Sequence, residues 1–269
     1  MDVVAKAQDG TTLSRSQWEL TQEFNKRCSG QQPVLGQWFN CSVAEYVAAQ
    51  LVPQLDKQGL LVSASMEAAQ LTVVETETLP PISSAEQLNY LARLHNSRVN
   101  LDYHQLAQHQ WLPEYNLMLL DEVNPAKRRL IAALLDSLCY DYQHLFGPMS
   151  LIAGACDRHC WRRTLTGELM LVDLHRISLG NPALDLAATL TGLPSIDDCY
   201  QTAQTYLQVN PQFKRHINQL TADILAATVW LKVDKCRLVG VGVDNFSVTE
   251  QGFYFEQVPE WLVSLMNNR

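Results

Sequence analysis

A chain of 269 residues with 47% hydrophobic and 18% charged residues has the length and apolar content for a packed globular core, in one large domain or two unequal lobes. A formal charge of −8 excludes a general nucleic-acid binder, because neutralising phosphates needs a basic face. Seven scattered cysteines form no disulfide framework, no basic start leads into an apolar export signal, and no apolar run approaches the roughly 18 residues of a membrane span, so a reducing, cytoplasmic location is expected.

The first eighty residues mix short strand-like runs with one or two helices. Residues 42–58 open on a Ser cap and place Val43, Tyr46, Val47, Leu51 and Leu55 near helical spacing, with Pro53 weakening the last turn. The runs LLVSAS at 60–65 and QLTVVET at 70–76 suit strands and predict a hairpin. Pro80-Pro81 breaks regular structure, and Ser83-Ser84 followed by Glu86 predicts a helix start whose apolar members are Leu88, Leu91 and Leu94. Helical patterns continue over 113–146, where Lys127, Arg128 and Arg129 mark a solvated face, and Gly147-Pro148 ends them.

Residues 149–190 carry the strand pair that interrupts the helical patterns, with a strand-like LMLVDL entered through the turn Thr166-Gly167, and then a helix start at NPALDLA. From 196 onward the pattern predicts helices ending near Trp261, with a loop or strand pair around 239–255. The division is therefore α+β: a small β-rich lobe over 1–79 and a larger helical lobe over 80–269. Trp111, Tyr115 and Trp230 suit core packing, or the walls of a pocket for an organic cation.

Phosphoryl transfer to a hydroxyl needs one carboxylate to position the attacking oxygen and another to hold magnesium on the nucleotide phosphates. Asp157, in the loop ACDRHCWRR, and Asp173, at the end of LMLVD, flank a tight hairpin and meet that demand. Cys156, His159 and Cys160 make a poor zinc set, since adjacent His159 and Cys160 do not aim easily at one centre and no second ligand pair lies nearby.

In these residues the chain resembles the aminoglycoside phosphotransferase, choline kinase and thiamine kinase family. That family carries His-Gly-Asp-x-His-x-x-Asn, a strand ending in Asp, and Gly-Asp-Pro-x-x-Asp-Leu-Ala. Asp157 and His159 match its catalytic loop, Asp173 its metal-binding aspartate, and Gly180, Pro182 and Asp185-Leu186-Ala187 the segment opening the next helix. LARLH at 91–95 resembles its Leu-x-x-Leu-His helix end, and QLTVVETETLPP its linker strand, so the likeness spans about residues 30–190. DLHR at 173–176 is similar, over a shorter stretch, to the lipopolysaccharide core heptose kinases.

The resemblance implies a two-lobed protein-kinase-like fold, with ATP and Mg²⁺ as cofactors and a small hydroxylated substrate, cationic if the acidic helical surface selects it. It makes Asp157 and His159 catalytic and Asp173 the metal ligand, and it sets Arg158, Arg162, Glu45 and Glu75 on the nucleotide. Asp185 becomes a helix-start residue bonding back to the catalytic loop, and His95 a helix-end residue with satisfied hydrogen bonds.

The chain also departs from the pattern. Ala155-Cys156 replaces His-Gly, and Arg162 stands where an asparagine would take a second metal, although a guanidinium has no acceptor. The stretch PVLGQWF at 33–39 carries no lysine, and the segment before it has a single glycine; Lys6 in Val3-Val4-Ala5-Lys6 is the other candidate for the lysine strand. Two readings follow: an ATP-dependent small-molecule kinase, with a lipopolysaccharide sugar kinase as a variant, or a pseudokinase serving as a binding or scaffold protein.

Overall fold

The computed structural model describes residues 5–6, 12–13, 47–60, 62, 82–155, 160–163, 167–171, 176–240 and 247–267. In chain order, β1 (Ala5–Lys6) pairs antiparallel with β2 (Thr12–Leu13). A π-helical turn, Val47–Leu51, runs into α1 (Val52–Asp56). Then come α2 (Ser84–His95), 3₁₀ turns at Tyr103–Gln105 and Pro113–Asn116, α3 (Leu117–Asp121), α4 (Pro125–Asp141) and a 3₁₀ turn at Gln143–Phe146. Four strands follow: β3 (Ser150–Ile152), β4 (Trp161–Arg163), β5 (Leu169–Leu171) and β6 (Ser178–Gly180). The chain closes with α5 (Ala183–Thr189), α6 (Ile196–Val209), α7 (Ile217–Gly240), α8 (Val248–Gly252), a π-turn and α9 (Val258–Asn267).

Two compact units share these elements. One comprises Met1–Pro81, Ser97–Gln108 and His159–Ile177; the other comprises Ile82–Asn96, His109–Arg158 and Ser178–Arg269.

In the first unit Val47 and Leu51 of the π-helical turn and Leu55 of α1 are buried as expected, while Val43 and Tyr46 lie outside the described residues. Pro53 sits in the first turn of α1, next to the change from the π-helical turn to α-helix and in the last part of the continuous run 47–56, where an interruption by proline was expected. Gln54 and Gln58 reach across to the backbone of Asn100 and Arg98, pinning the 97–100 segment to α1. The strands β4 and β5 form a hairpin in which Arg162 faces Met170, and its turn uses Gly167 at φ +85°, a conformation favouring glycine. Arg163 Nη1 donates to the Gly167 carbonyl at 2.8 Å and closes that turn. Val62, from the first predicted strand run, makes a parallel bridge to Leu171; the rest of the expected 60–76 hairpin lies outside the described residues.

The second unit is helical around α7. Buried residues occur on every side of that 24-residue helix, among them Leu220, Ile224, Val229, Trp230 and Val233, because α5 and α6 both pack against it. Trp111, Tyr115 and Trp230 are core residues: the Trp111 indole donates to Asn116 Oδ1 at 2.9 Å, and the Trp230 indole to the Gln110 carbonyl at 3.1 Å.

Several expectations need correction in this unit. The 113–146 helical run is broken at 122–124, where Asn124 caps α4 by accepting from Ala126 N, and Pro125 opens the helix. The strand pair β3 and β6, absent from the sequence reading, joins Ser150–Ile152 to Ser178–Gly180. Within 239–255 the described residues are helical except the cap Ser247, the stretch 241–246 lies outside the described residues, and the final helix continues past Trp261 to Asn267. Among the described residues no helix is long and apolar enough to cross a membrane.

Candidate functional site

Local geometry at the end of β3 follows from one buried carboxylate. After Ile152 the chain turns through Gly154 at φ +83° and Ala155 at φ +59°, and an alanine in that region is strained. The turn directs two backbone amides at Asp185. Ala153 N donates to Asp185 Oδ2 at 2.7 Å and Ala155 N to Oδ1 at 2.8 Å. Asp185 stands in the first turn of α5, where the helix dipole favours negative charge, and is 2% exposed, so these donors replace the water it has lost. The expected bond from Asp185 back to the loop that carries Asp157 is thus present at the loop's entry.

A third donor completes the arrangement. His95, the last residue of α2, places Nε2 3.0 Å from Asp185 Oδ2 and Nδ1 2.7 Å from the Tyr206 hydroxyl. Asn210 Nδ2 donates to that hydroxyl at 2.8 Å, and Asn96 Nδ2 donates to Asn210 Oδ1 at 2.8 Å. Burial pushes the Tyr206 pKa well up; the bond from Asn210 works against this and the charge of Asp185 adds to it. His95 was legible as a helix-end residue with satisfied bonds. Tyr206 and Asn210 were not, because nothing in α6 sets them apart from any half-apolar helix.

A second buried carboxylate fixes the start of α5 from below. Asp223 on α7 receives Arg215 Nη2 at 2.8 Å, His144 Nε2 at 2.9 Å and Asn181 Nδ2 at 3.2 Å. Asn181 Oδ1 in turn accepts from Ala183 N at 2.9 Å, and Asn181 N donates to the Leu145 carbonyl at 2.8 Å. Its neighbour Gly180 lies so close to the core that an added Cβ would stand 2.6 Å from Ile152 Cδ1. Asp223 also faces a cavity of about 620 Å³ bordered by Asp141, Tyr142, Tyr200 and Asn218, with its charge already met by Arg215.

Of the residues expected on a nucleotide or substrate, Arg162 is described. It is half-buried on β4, with Nη1 donating to its neighbour's carbonyl, Trp161 O, at 2.8 Å. Asp157, Arg158, His159, Asp173, Glu45 and Glu75 lie outside the described residues, and so does the separation of the two aspartates on which the expectation turns. Among the described residues no three His, Cys, Asp or Glu side chains group closely enough to hold a metal.

No protein-family model matches the sequence, and no curated protein does. Solved structures similar to the chain include small-molecule kinases. One is the choline kinase LicA from Streptococcus pneumoniae, at 14% identity over 87% of this chain and 84% of that one, with a TM-score of 0.47. LicA in complex with AMP gives 15% identity over 83% and 79%, with a TM-score of 0.41. The macrolide 2′-phosphotransferase MphH from Brachybacterium faecium gives 15% identity over 96% and 87%, with a TM-score of 0.47. TM-scores below 0.5 at such identities carry no weight for the site of this chain.

Proposed function

We propose that this chain is a phosphotransferase of the two-lobed, protein-kinase-like kind, moving the γ-phosphoryl group of ATP to a hydroxyl of a small metabolite. The observation that supports it best is the double capture of the Ala153 and Ala155 amides by Asp185. A loop carrying a reacting carboxylate must be held in one geometry, and this capture acts two residues before Asp157, in the segment where the catalytic-loop motif falls.

In this reading Asp157 accepts the hydroxyl proton as the acceptor oxygen attacks the γ-phosphorus. The new O–P bond forms as the bond to the β–γ bridging oxygen breaks, and ADP leaves. Asp173 would hold magnesium, which when bound draws the phosphate charge toward itself. Arg162 has no acceptor to offer a cation, so its part is a direct contact to phosphate, shared with Arg158. His159 joins Asp157 in the loop, while Glu45 and Glu75 belong to the nucleotide end, in a small lobe ending near residue 79. The acidic composition favours an amino-alcohol, aminoglycoside or thiamine as acceptor, and a sugar if the lipopolysaccharide-kinase likeness governs.

The test is turnover of MgATP with a panel of choline, thiamine, kanamycin and a heptose. Wild-type protein should consume ATP with at least one acceptor, and Asp157→Asn should lose nearly all of that rate while still binding nucleotide. Full activity in Asp157→Asn would remove the proposed base. Arg162, held to its own backbone neighbour in place of a metal-binding amide, favours a second reading: a pseudokinase used for binding or scaffolding. MgATP at about 100 times its Kd should raise the melting temperature by about 5 °C or more. Absence of any shift at millimolar MgATP would decide for the pseudokinase.

A further inference from the structure

We propose that Tyr206, oriented by Asn210, is a positioning residue that acts through His95 on Asp185 and so sets the backbone at Ala153 and Ala155. Its consequence for turnover rests on the phosphotransferase reading, whereas its geometry does not.

The hydrogen-bond count gives the chain a direction. Asn96 Nδ2 donates to Asn210 Oδ1, which leaves the amide nitrogen of Asn210 to face Tyr206, and it donates to the hydroxyl oxygen at 2.8 Å. Having accepted there, the hydroxyl has its own proton for His95 Nδ1, 2.7 Å away. An imidazole that accepts at Nδ1 carries its proton on Nε2, the nitrogen 3.0 Å from Asp185 Oδ2. Each group therefore donates toward the carboxylate, and the Ala153 and Ala155 amides meet it from the other side. With a neutral His95, reversing the Tyr206 link would turn the bare Nε2 lone pair toward the Asp185 carboxylate, acceptor against acceptor, and leave the hydroxyl proton unused. Burial raises the Tyr206 pKa, so its proton stays available to His95.

The arrangement has something to hold. Ala155 keeps φ at +59°, a conformation that persists for a residue with a Cβ only where its surroundings impose it, and the imposing contact is Asp185 Oδ1. The sequence has Ala155-Cys156 where the resembled motif has His-Gly, so this loop gets no brace from a histidine at that place. The C-terminal ends of α2 and α6, which carry His95, Asn96 and Asn210, supply one from outside.

Tyr206→Phe in the full-length protein tests this, since it deletes one oxygen and keeps the ring. Hydrogen exchange at the Ala153 and Ala155 amides should accelerate at least tenfold, with α4 amides unchanged, and the ¹⁵N shifts of His95 should leave the pattern of a pure Nε2–H tautomer. MgATP hydrolysis should then show a lower kcat at an unchanged KM for ATP. Should Tyr206→Phe not fold, Asn96→Ala at the exposed end of the chain carries the same test, with at least twofold faster exchange at Ala155 expected. Unchanged exchange at both amides, or a uniform acceleration across α4 as well, would overturn the positioning role. Wild-type protein without any nucleotide turnover would sink the phosphotransferase reading instead, and the exchange data would still decide the relay.

Discussion

Asp185 has three N–H groups converging on two oxygens, from Ala153, Ala155 and His95. An asparagine at this place keeps one acceptor and turns an NH₂ toward a donor. The buried amide left unmatched, with the lost charge-assisted bonds, should cost about 3 kcal/mol. Asp185→Asn should accordingly lower the melting temperature by about 6–12 °C in a thermal melt, and a loss under 2 °C would show that the loop does not depend on this carboxylate. Asp185 was readable in advance because it falls in the NPALDLA helix start. Asp223, with three donors of its own, was not, since it lies mid-helix in α7 and its partners come from elsewhere in the chain.

Helix starts were the most legible elements, because a cap is a local event. Ser83 Oγ accepts from Glu86 N, and Ser83 N donates to Glu86 Oε2 at 2.9 Å, the reciprocal box expected from Ser83-Ser84 and Glu86. α6 repeats it with Ser195 and Asp198, and α8 with Ser247 and Glu250. At α6 the Ser195 backbone amide and then its hydroxyl hold the Asp198 carboxyl below the usual carboxylate range. A carboxyl depressed on folding stabilises above its unfolded pKa of about 3.9 and loses that contribution as pH falls through the folded value. Ser195→Ala should therefore lower the melting temperature at pH 7 and make progressively less difference below about pH 4. A penalty that stays constant from pH 7 to pH 2 would exclude the carboxylate's part. Helix interiors were less legible: the 113–146 run shows continuous apolar periodicity, and the Asn124-Pro125 start inside it marks the break.

Over the whole molecule, cysteine placement bears on how the chain behaves in solution. Cys139, Cys160, Cys199 and Cys236 are buried. Burial pushes the Cys199 and Cys236 thiols up to about 12, and it raises Cys139 as well. Little thiolate exists at these sites near neutrality, so a maleimide at pH 7.5 should leave Cys139, Cys199 and Cys236 unlabelled in native protein and label all three in urea, as read by peptide mass spectrometry. Rapid native labelling at Cys199 or Cys236 would mean that the helical unit opens locally.

By itself the sequence determined what depends on neighbours a few residues away: the capped start of α2, the glycine turn at Gly167, the helix opened by NPALDLA, and the packing of Leu51 and Leu55. Apart from the bond of Asp185 to its loop, tertiary structure alone decided which polar groups distant in the chain meet. His95 finds Asp185 across 90 residues and Tyr206 across 111, and His144 finds Asp223 across 79. Such pairings have no periodic signature, because a buried carboxylate requires several donors without specifying where in the chain they arise; the packing of α2, α5, α6 and α7 makes that choice.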